Sequence, residues 1–204
     1  MSRRPYKSPR RVASALETRD RIVAAAAELL GSGDSNFSLE ATAKAAGVTR
    51  LTVYNQFGSR RALLEAVFDD RATRGGLLRV ADAMTDPDPH ASLDHVITIF
   101  CDFWSFDRGA LHRLHGAVVL DPEFQESLRL RNDRRRRLLS VLVGRMVERD
   151  EVHQAEANDL IDILFTITSF AVFAELTNGD RPADEACILI HALATDAVRR
   201  AGTP

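Results

Sequence analysis

The chain has 204 residues, of which 45% are hydrophobic and 27% charged, and its formal net charge at pH 7 is −2. This composition is that of a globular protein, which excludes a largely disordered or fibrous chain. No apolar run reaches the roughly 18 to 20 residues of a membrane span, and the N-terminus lacks the apolar core of a secretory signal, so we expect a cytoplasmic protein with no membrane contact.

The charge is unevenly distributed along the chain. Of the 27 basic and 29 acidic residues, residues 1–74 hold 13 and 8, a net charge of +5. The remainder holds 14 and 21, a net charge of −7. This asymmetry favours phosphate contact by the first part only, because DNA would repel the acidic remainder.

Residues 1–15 form a basic segment with two prolines and no acid. Such a segment cannot build a core, so we expect a flexible arm. Two interpretations stay open: an arm that lies in a minor groove or on phosphates, and a solvated tail that adds only nonspecific attraction.

A first helix is predicted from Glu17 to Leu30, because apolar residues repeat there at helical spacing and Gly31 follows. Two short helices are then predicted between Ser38 and Phe57. Ser38 and Thr49 are suited to cap them, and Gly47 lies where a sharp turn needs a left-handed residue. This arrangement is typical of a helix-turn-helix.

The second short helix has the composition of a groove-reading helix. Its outer face carries hydrogen-bonding side chains that suit the base edges of a major groove. These side chains belong to Arg50, Thr52, Asn55 and Gln56.

Residues 46–64 read A-G-V-T-R-L-T-V-Y-N-Q-F-G-S-R-R-A-L-L. This stretch closely resembles the TetR-family pattern A-G-V-S-x-x-T-L-Y-x-x-F-x-S-K-x-x-L, and the resemblance covers roughly Ala15 to Phe68. It implies an all-α fold with an N-terminal three-helix DNA-binding domain at 16–74, whose motif is 38–57. A helical ligand-binding and dimerisation domain is expected at 75–204.

The resemblance implies a set of DNA-binding residues. Those on the second short helix are expected to face base edges or the adjacent backbone, and Thr49, Ser59 and Arg60 are expected to hold phosphates. The full set is Ser38, Lys44, Thr49, Arg50, Leu51, Thr52, Tyr54, Asn55, Gln56, Ser59 and Arg60.

Two residues depart from the family pattern. Thr42 replaces an aliphatic residue, so the helix is expected either to pack more loosely or to bond the hydroxyl to a carbonyl one turn back. Glu40 replaces a base-reading or basic residue and is expected to complement the dipole of its own helix.

A fourth helix, capped by Ser59, is predicted to continue through Gly75-Gly76 to Met84, with a kink or a plain break at the glycine pair. The sequence Asp86-Pro87-Asp88-Pro89 then marks a boundary. Later helices are predicted at about 92–106, 108–120, 122–149, 155–176 and 183–201.

The last two predicted helices are apolar around most of their circumference. Such helices must be buried on all sides, and a second copy would cover them in a four-helix interface. The resemblance also implies a homodimer of this kind. The expected interface residues are Phe165, Phe173, Leu189, Leu193 and Ala197.

Aromatic residues of the C-terminal helices are candidates for the pocket that the resemblance implies, although most such residues are ordinary core. Trp104 and His112 are favoured because a buried indole N–H or imidazole needs a partner. His112 and His115 are otherwise a solvent-facing pair. The candidate pocket residues are Phe100, Phe103, Trp104, His112, Phe124 and Phe165.

Two further features have simple interpretations. The run from Arg134 to Arg137 is predicted to be a solvated, salt-bridged stretch of a long helix. Cys101 and Cys187 are predicted to be buried structural thiols, with redox sensing as the alternative.

No motif indicates catalysis, a cofactor or a metal site. The sequence therefore predicts a ligand-responsive repressor that binds a palindromic operator in double-stranded DNA and is released by a small-molecule effector. One alternative is an activator, or a ligand-independent regulator with a protein partner. Another is a helical ligand-binding protein or enzyme without sequence-specific DNA binding.

Overall fold

The computed structural model describes residues 9–32, 37–118 and 121–202. Every regular element in these ranges is helical, which confirms the all-α class. Two compact units are present: one drawn from residues 1–70 and 109–124, the other from residues 71–108 and 125–204. Residues 109–124 therefore group with the N-terminal helices, although no sequence signal links them.

The helices are α1 (Pro9–Gly31), α2 (Leu39–Ala45), α3 (Arg50–Phe57), α4 (Arg60–Arg74), α5 (Val80–Ala83), α6 (Pro89–Phe106), α7 (Arg108–Ala117), α8 (Pro122–Val147), α9 (Ala157–Ile167), α10 (Phe170–Leu176) and α11 (Ala183–Ala201). A 3-10 turn, Leu77–Arg79, precedes α5. Among the described residues, no helix combines the length and the apolar character that crossing a membrane would require.

The first helix begins earlier than predicted. The apolar repeat indicates a start near Glu17, whereas α1 begins at Pro9. A proline suits the first helical turn, where its missing N–H is not needed. Residues 9–15 are thus helical, which corrects the prediction of a flexible arm over that stretch. Residues 1–8, the rest of the predicted arm, lie outside the described residues.

An apolar core holds the first unit together. Ile22, Ala26 and Val53 are fully buried, and Ala43 is 2% exposed. Helix α4 adds the equally buried Leu63, Leu64 and Val67. Since burying one such large side chain contributes about 1.5 to 3 kcal/mol, these helices form a rigid support for α3.

Helix α7 lies against the end of α1. A Cβ added at Gly109 would stand 3.0 Å from the carbonyl oxygen of Gly31 and 3.2 Å from its Cα. Position 109 favours glycine, because a side chain there would require one of the two backbones to shift. This contact explains why α7 belongs to the first unit.

The glycine pair ends α4, so the plain break is the correct alternative and the kink is not. Gly76 has a φ of 85°, which glycine adopts without strain. A Cβ at Gly75 would come within 2.8 Å of the Phe103 ring. Close packing within the second unit therefore adds a second reason for glycine here.

The apolar stretch predicted as one helix from Ala155 to Leu176 is two helices. Helix α9 ends at Ile167, and Ser169 caps α10 by accepting a 3.3 Å hydrogen bond from the N–H of Val172. Adjacent hydroxyl residues favour caps because their side chains bond nearby backbone groups. The prediction of an unbroken helix is wrong for this reason.

The four arginines at 134–137 do not share one environment. Arg134 and Arg137 are exposed, and Arg136 forms an ion pair with Asp162, as expected of a solvated stretch. Arg135 is only 6% exposed, which contradicts that prediction for this residue. The helical period turns it inward while its neighbours face solvent.

The two cysteines are neighbours in the second unit. Cys101 on α6 is buried as predicted, whereas Cys187 on α11 is partly exposed, and each thiol influences the pKa of the other. Burial raises the pKa of both thiols, which keeps them protonated and poorly nucleophilic. This environment favours structural thiols over redox sensing.

Candidate nucleic-acid interface

Helices α2 and α3 form the predicted helix-turn-helix with its predicted caps. The Ser38 hydroxyl oxygen accepts a 3.1 Å hydrogen bond from the N–H of Ala41, and Thr49 accepts one of 3.1 Å from the N–H of Thr52. Gly47 has a φ of 64°, the left-handed conformation that the turn needs. The sequence therefore predicted the local geometry of the motif correctly.

Helix α3 has one buried side and one exposed side. Val53 is fully buried and Phe57 is 8% exposed, so these two residues fix the helix on the core. On the other side, Leu51 is 66% exposed and Tyr54 56% exposed. Arg50 and Asn55 are exposed beside them. The protruding side combines donors, acceptors and apolar surface, which is the chemistry that base edges require.

Some residues of the predicted DNA-binding set have local structural roles. The hydroxyls of Thr49 and Thr52 lie 2.8 Å apart, and Thr52 and Gln56 are only partly exposed. Ser38 is partly buried as a cap, whereas Lys44 near the end of α2 is exposed. A capping hydroxyl can still accept or donate a second hydrogen bond, so these contacts stay predictions.

The first turn of α4 carries the predicted phosphate contacts. Ser59 caps this helix by accepting a 3.1 Å hydrogen bond from the N–H of Ala62. Arg60 Nη1 lies 3.7 Å from Asp121 Oδ2 at the start of α8. The Arg60 guanidinium also lies over the Phe37 ring, 5.4 Å from its centroid. Arg60 therefore has a carboxylate neighbour that any phosphate must displace.

Arg61 repeats this arrangement. Its Nη1 lies 3.2 Å from Glu123 Oε2 and its Nε 3.9 Å from Glu65 Oε1. The first turns of α4 and α8 thus face each other as bases and acids. Sequence reasoning missed this pairing because the partners are about 60 residues apart.

The two departures from the family pattern have different outcomes. Thr42 is fully buried and its hydroxyl has no hydrogen-bond partner, so the predicted bond to a carbonyl one turn back is not formed. Glu40 is exposed in the first turn of α2, where a carboxylate complements the helix dipole.

Sequence reasoning also missed Arg19 of α1. Its Nη1 donates a 3.1 Å hydrogen bond to the backbone oxygen of Gln56, and its guanidinium lies 4.4 Å from the Phe57 ring centroid. Arg19 thereby satisfies a carbonyl at the C-terminal end of α3 and covers its last buried side chain. Arg19 therefore helps to hold α3 in position against α1.

The candidate pocket residues are divided between the two units. His112 and Phe124 belong to the first unit, and the other four belong to the second. His112 is exposed, so the expectation of a buried imidazole is wrong. The Trp104 indole N–H already donates a 3.1 Å hydrogen bond to the Thr168 carbonyl, so it does not need a ligand as its partner.

The aromatic residues of the second unit are packed together. The ring centroids of Phe103 and Trp104 lie 4.5 Å apart, and those of Trp104 and Phe170 lie 5.4 Å apart. Phe100 stacks on Trp104 at 6.2 Å. This cluster is the apolar centre of the second unit.

The residues predicted for the dimer interface differ in exposure. Phe173 is fully buried and Ala197 is 8% exposed within the single chain, so both contribute to the core of their own chain. Phe165 and Leu189 are partly exposed, whereas Leu193 is 42% exposed. The apolar pattern could not separate side chains buried within the chain from those that remain exposed on it, and the interface assignment stays a prediction.

The sequence matches to known proteins that are informative here include most of the helices of the first unit. Residues 22–67 match the family model described as bacterial regulatory proteins, tetR family. Over 77 residues the chain is 42% identical to the HTH-type transcriptional regulator AlkX of Mycobacterium tuberculosis (strain ATCC 25618 / H37Rv). That alignment covers 37% of this chain and 32% of AlkX, about a third of the relative's length.

Solved structures share the fold over most of the chain. A TetR-like transcriptional regulator from Rhodococcus sp. RHA1 is similar with a TM-score of 0.68 and 21% identity, over 89% of this chain and 95% of its own. A TetR transcription regulator from Haloarcula marismortui ATCC 43049 has a TM-score of 0.73 at 16% identity, over 92% and 100%. At these identities the likeness concerns the fold alone. Residues 22–67 thus carry the DNA-binding segment described by the tetR family model, and the chain shares the all-helical fold of solved TetR-like regulators.

Proposed function

We propose that this protein is a homodimeric transcriptional repressor that binds a palindromic operator and is released from it by a small molecule. The observation that carries the proposal is the exposed side of α3. Arg50 and Asn55 stand out from a helix whose opposite side, Val53 and Phe57, is fixed in the core. A polar-faced helix held in this way can enter a major groove without reorganising.

Different residues of α3 are suited to different groups on the DNA. Arg50 carries the donors that suit guanine, and Asn55 carries the donor and acceptor that suit adenine. Tyr54 offers an apolar ring for a thymine methyl or a sugar edge, with a hydroxyl for the backbone. Arg60 and the α4 amides hold a phosphate, because a helix N-terminus favours an anion.

Dimerisation through α9 and α11 follows from their remaining apolar surface. Ile163 on α9 is 39% exposed, and Ile188 and Leu193 on α11 are 68% and 42% exposed. A second copy related by a two-fold axis covers such surface on both chains at once. Two α3 helices related by that axis require a palindromic site with half-sites about one helical turn apart, on the order of 34 Å.

Release is a shift between conformers. A small molecule that binds better to a dimer with unsuitable spacing of its α3 helices lowers the population that fits the operator. The same coupling makes operator DNA weaken ligand binding by an equal factor.

Selection of bound fragments from random duplex DNA tests the proposal. We expect the wild-type protein to select a palindrome, and the Arg50→Ala and Tyr54→Ala variants to bind its half-sites more weakly. A ligand-independent regulator would bind the same palindrome, but no compound in a metabolite library would release the protein from it. A helical ligand-binding protein or enzyme would return no shared sequence, and that result would contradict the proposal.

A further inference from the structure

Arg135 on α8 is a buried cation without a counter-ion. Its side chain is 6% exposed, and none of the ion pairs among the described residues includes it. Burial lowers the pKa of Arg135 to about 10, with no carboxylate opposing this shift. A buried charge is costly unless it is paired, so an unpaired one calls for a partner.

One part of the guanidinium is fully used within the protein. Nη1 donates hydrogen bonds of 2.6 Å to the Phe165 carbonyl and 2.7 Å to the Thr168 hydroxyl. These acceptors lie at the C-terminal end of α9, where carbonyls lack partners within the helix and a cation is favourable. This contact explains why a cation lies here, but it involves only one of the three nitrogens.

The opposite edge of the same guanidinium is incompletely used. Nε is buried and has no hydrogen-bond partner. Nη2 has one long contact, 3.4 Å to the amide oxygen of Asn132. The Nε and Nη2 donors together form a planar fork that fits the two oxygens of a carboxylate. Since Asn132 is exposed and weakly bonded, it can give way to an incoming anion.

Two aromatic rings lie close to the Arg135 guanidinium. The guanidinium carbon lies 4.1 Å from the Phe165 ring centroid and 5.9 Å from that of Phe100. Trp104 joins the same cluster, because its indole N–H bonds the Thr168 carbonyl while Arg135 bonds the Thr168 hydroxyl. An anion at the fork would therefore have apolar, polarisable surface beside it.

We infer that Arg135 binds the carboxylate of a small, largely apolar organic acid through its Nε and Nη2 donors. The acid's apolar body packs against the aromatic cluster of Phe100, Trp104 and Phe165. This inference rests on the proposed function in one respect, since it names the class of the releasing ligand. The binding itself does not require DNA.

Trp104 supplies the readout, because it is the only tryptophan in the chain. The experiment titrates full-length protein without DNA and follows Trp104 emission and heat of binding. The probes are phenylacetate and octanoate, each against its neutral amide, with inorganic phosphate as an anion that has no apolar part. We expect each acid to bind about ten- to a hundredfold more tightly than its amide and than phosphate. The amide lacks the charge-assisted pair with Arg135, and phosphate lacks the apolar part.

The variants use neighbouring arginines as matched controls. Arg135→Met should remove the preference for the acid, while Arg134→Met, which loses an exposed charge one residue away, should retain it. Arg135→Lys keeps the charge but lacks the fork, so it should bind the acids at least about tenfold more weakly than wild type. Circular dichroism checks that each variant is folded.

The wild-type comparison decides the matter even if Arg135→Met fails to fold. Equal binding of acid and amide, or no saturable change in Trp104 emission with either acid, would overturn the inference. So would an acid preference that survives in a folded Arg135→Met variant. Operator selection is measured separately, so these outcomes do not affect the proposal that the chain binds DNA.

Discussion

Asp121 Oδ2 lies 3.7 Å from Nη1 of Arg60, so the start of α8 contacts the first turn of α4. The other oxygen of Asp121, Oδ1, accepts a 3.0 Å hydrogen bond from the N–H of Phe124 and caps α8. One carboxylate therefore stabilises a helix start and neutralises an arginine expected to hold a phosphate. Because the Arg60 side chain is 39% exposed and the two charges are 3.7 Å apart, this ion pair contributes only about 0 to 1 kcal/mol, so DNA can displace it.

Replacing Asp121 with asparagine should strengthen DNA binding. Asn is as good a helix cap as Asp, so α8 should keep its start while Arg60 loses its competitor. We expect affinity for any duplex to rise by up to about fivefold per protomer at low salt, the effect of one surface ion pair. Fluorescence anisotropy with a labelled duplex measures this. Glu126→Gln, the same change of charge in the second unit, should have less effect, and equal effects would refute the role given to Asp121.

Removing Arg60 should weaken binding without changing sequence preference. A phosphate contact releases about one counterion, so Arg60→Ala should lower the salt slope of binding by about one unit per protomer. Titrations of operator and unrelated duplexes over a range of salt concentrations give the slope. Arg129→Ala, which loses an exposed arginine of the second unit, serves as the control. An unchanged slope in Arg60→Ala would show that this residue does not contact phosphate.

Thr42→Val should stabilise the first unit. The Thr42 hydroxyl is buried without a hydrogen-bond partner, and valine has nearly the same shape without that polar atom. We expect the free energy of unfolding to rise by about 1 kcal/mol, because an unsatisfied buried group costs about that much. Urea denaturation measures the change. Thr177→Val is the matched control: its hydroxyl donates a 2.8 Å bond to the Phe173 carbonyl, so the same substitution should destabilise. Destabilisation by both would mean that the Thr42 hydroxyl is satisfied in solution.

A charge at Leu193 should dissociate the dimer. Leu193 is 42% exposed on α11, and a buried, unpaired arginine in its place would be strongly unfavourable in an interface. Sedimentation of Leu193→Arg should show at least about a tenfold weaker dimer and a parallel loss of palindrome binding. Leu78→Arg places the same charge on a 70% exposed residue outside α9 and α11 and should leave the dimer intact. Unchanged sedimentation of Leu193→Arg would place the interface elsewhere.

Local signals were enough to predict the helix-turn-helix. Ser38 and Thr49 cap it, and Gly47 turns it, because each acts on backbone groups within three residues. The family pattern covers the same stretch, so both kinds of reasoning agree there. Prediction from local sequence fails at position 19. The contact from Arg19 to Gln56 depends on how α1 crosses α3, which leaves no pattern in the sequence.

The second unit was predicted less well, again because contacts between separate helices leave no pattern in the sequence. A run of four arginines indicates solvent exposure, yet the helical period buries Arg135 where α9 ends. That end exists only because Thr168 and Ser169 interrupt the apolar stretch. Apolar composition alone could not show this break, nor could it separate Phe173, which is fully buried, from Leu193, which stays 42% exposed.

The central claim is that the exposed side of α3 reads DNA sequence in a two-fold symmetric pair. Its most direct test compares the affinity of wild type and Arg50→Ala for the selected palindrome and for the same duplex with one half-site scrambled. We predict that wild type discriminates between the duplexes by about a thousandfold or more, and that Arg50→Ala loses about 1 to 3 kcal/mol on the intact palindrome only. Equal affinity of wild type for both duplexes, with no effect of Arg50→Ala, would contradict the account.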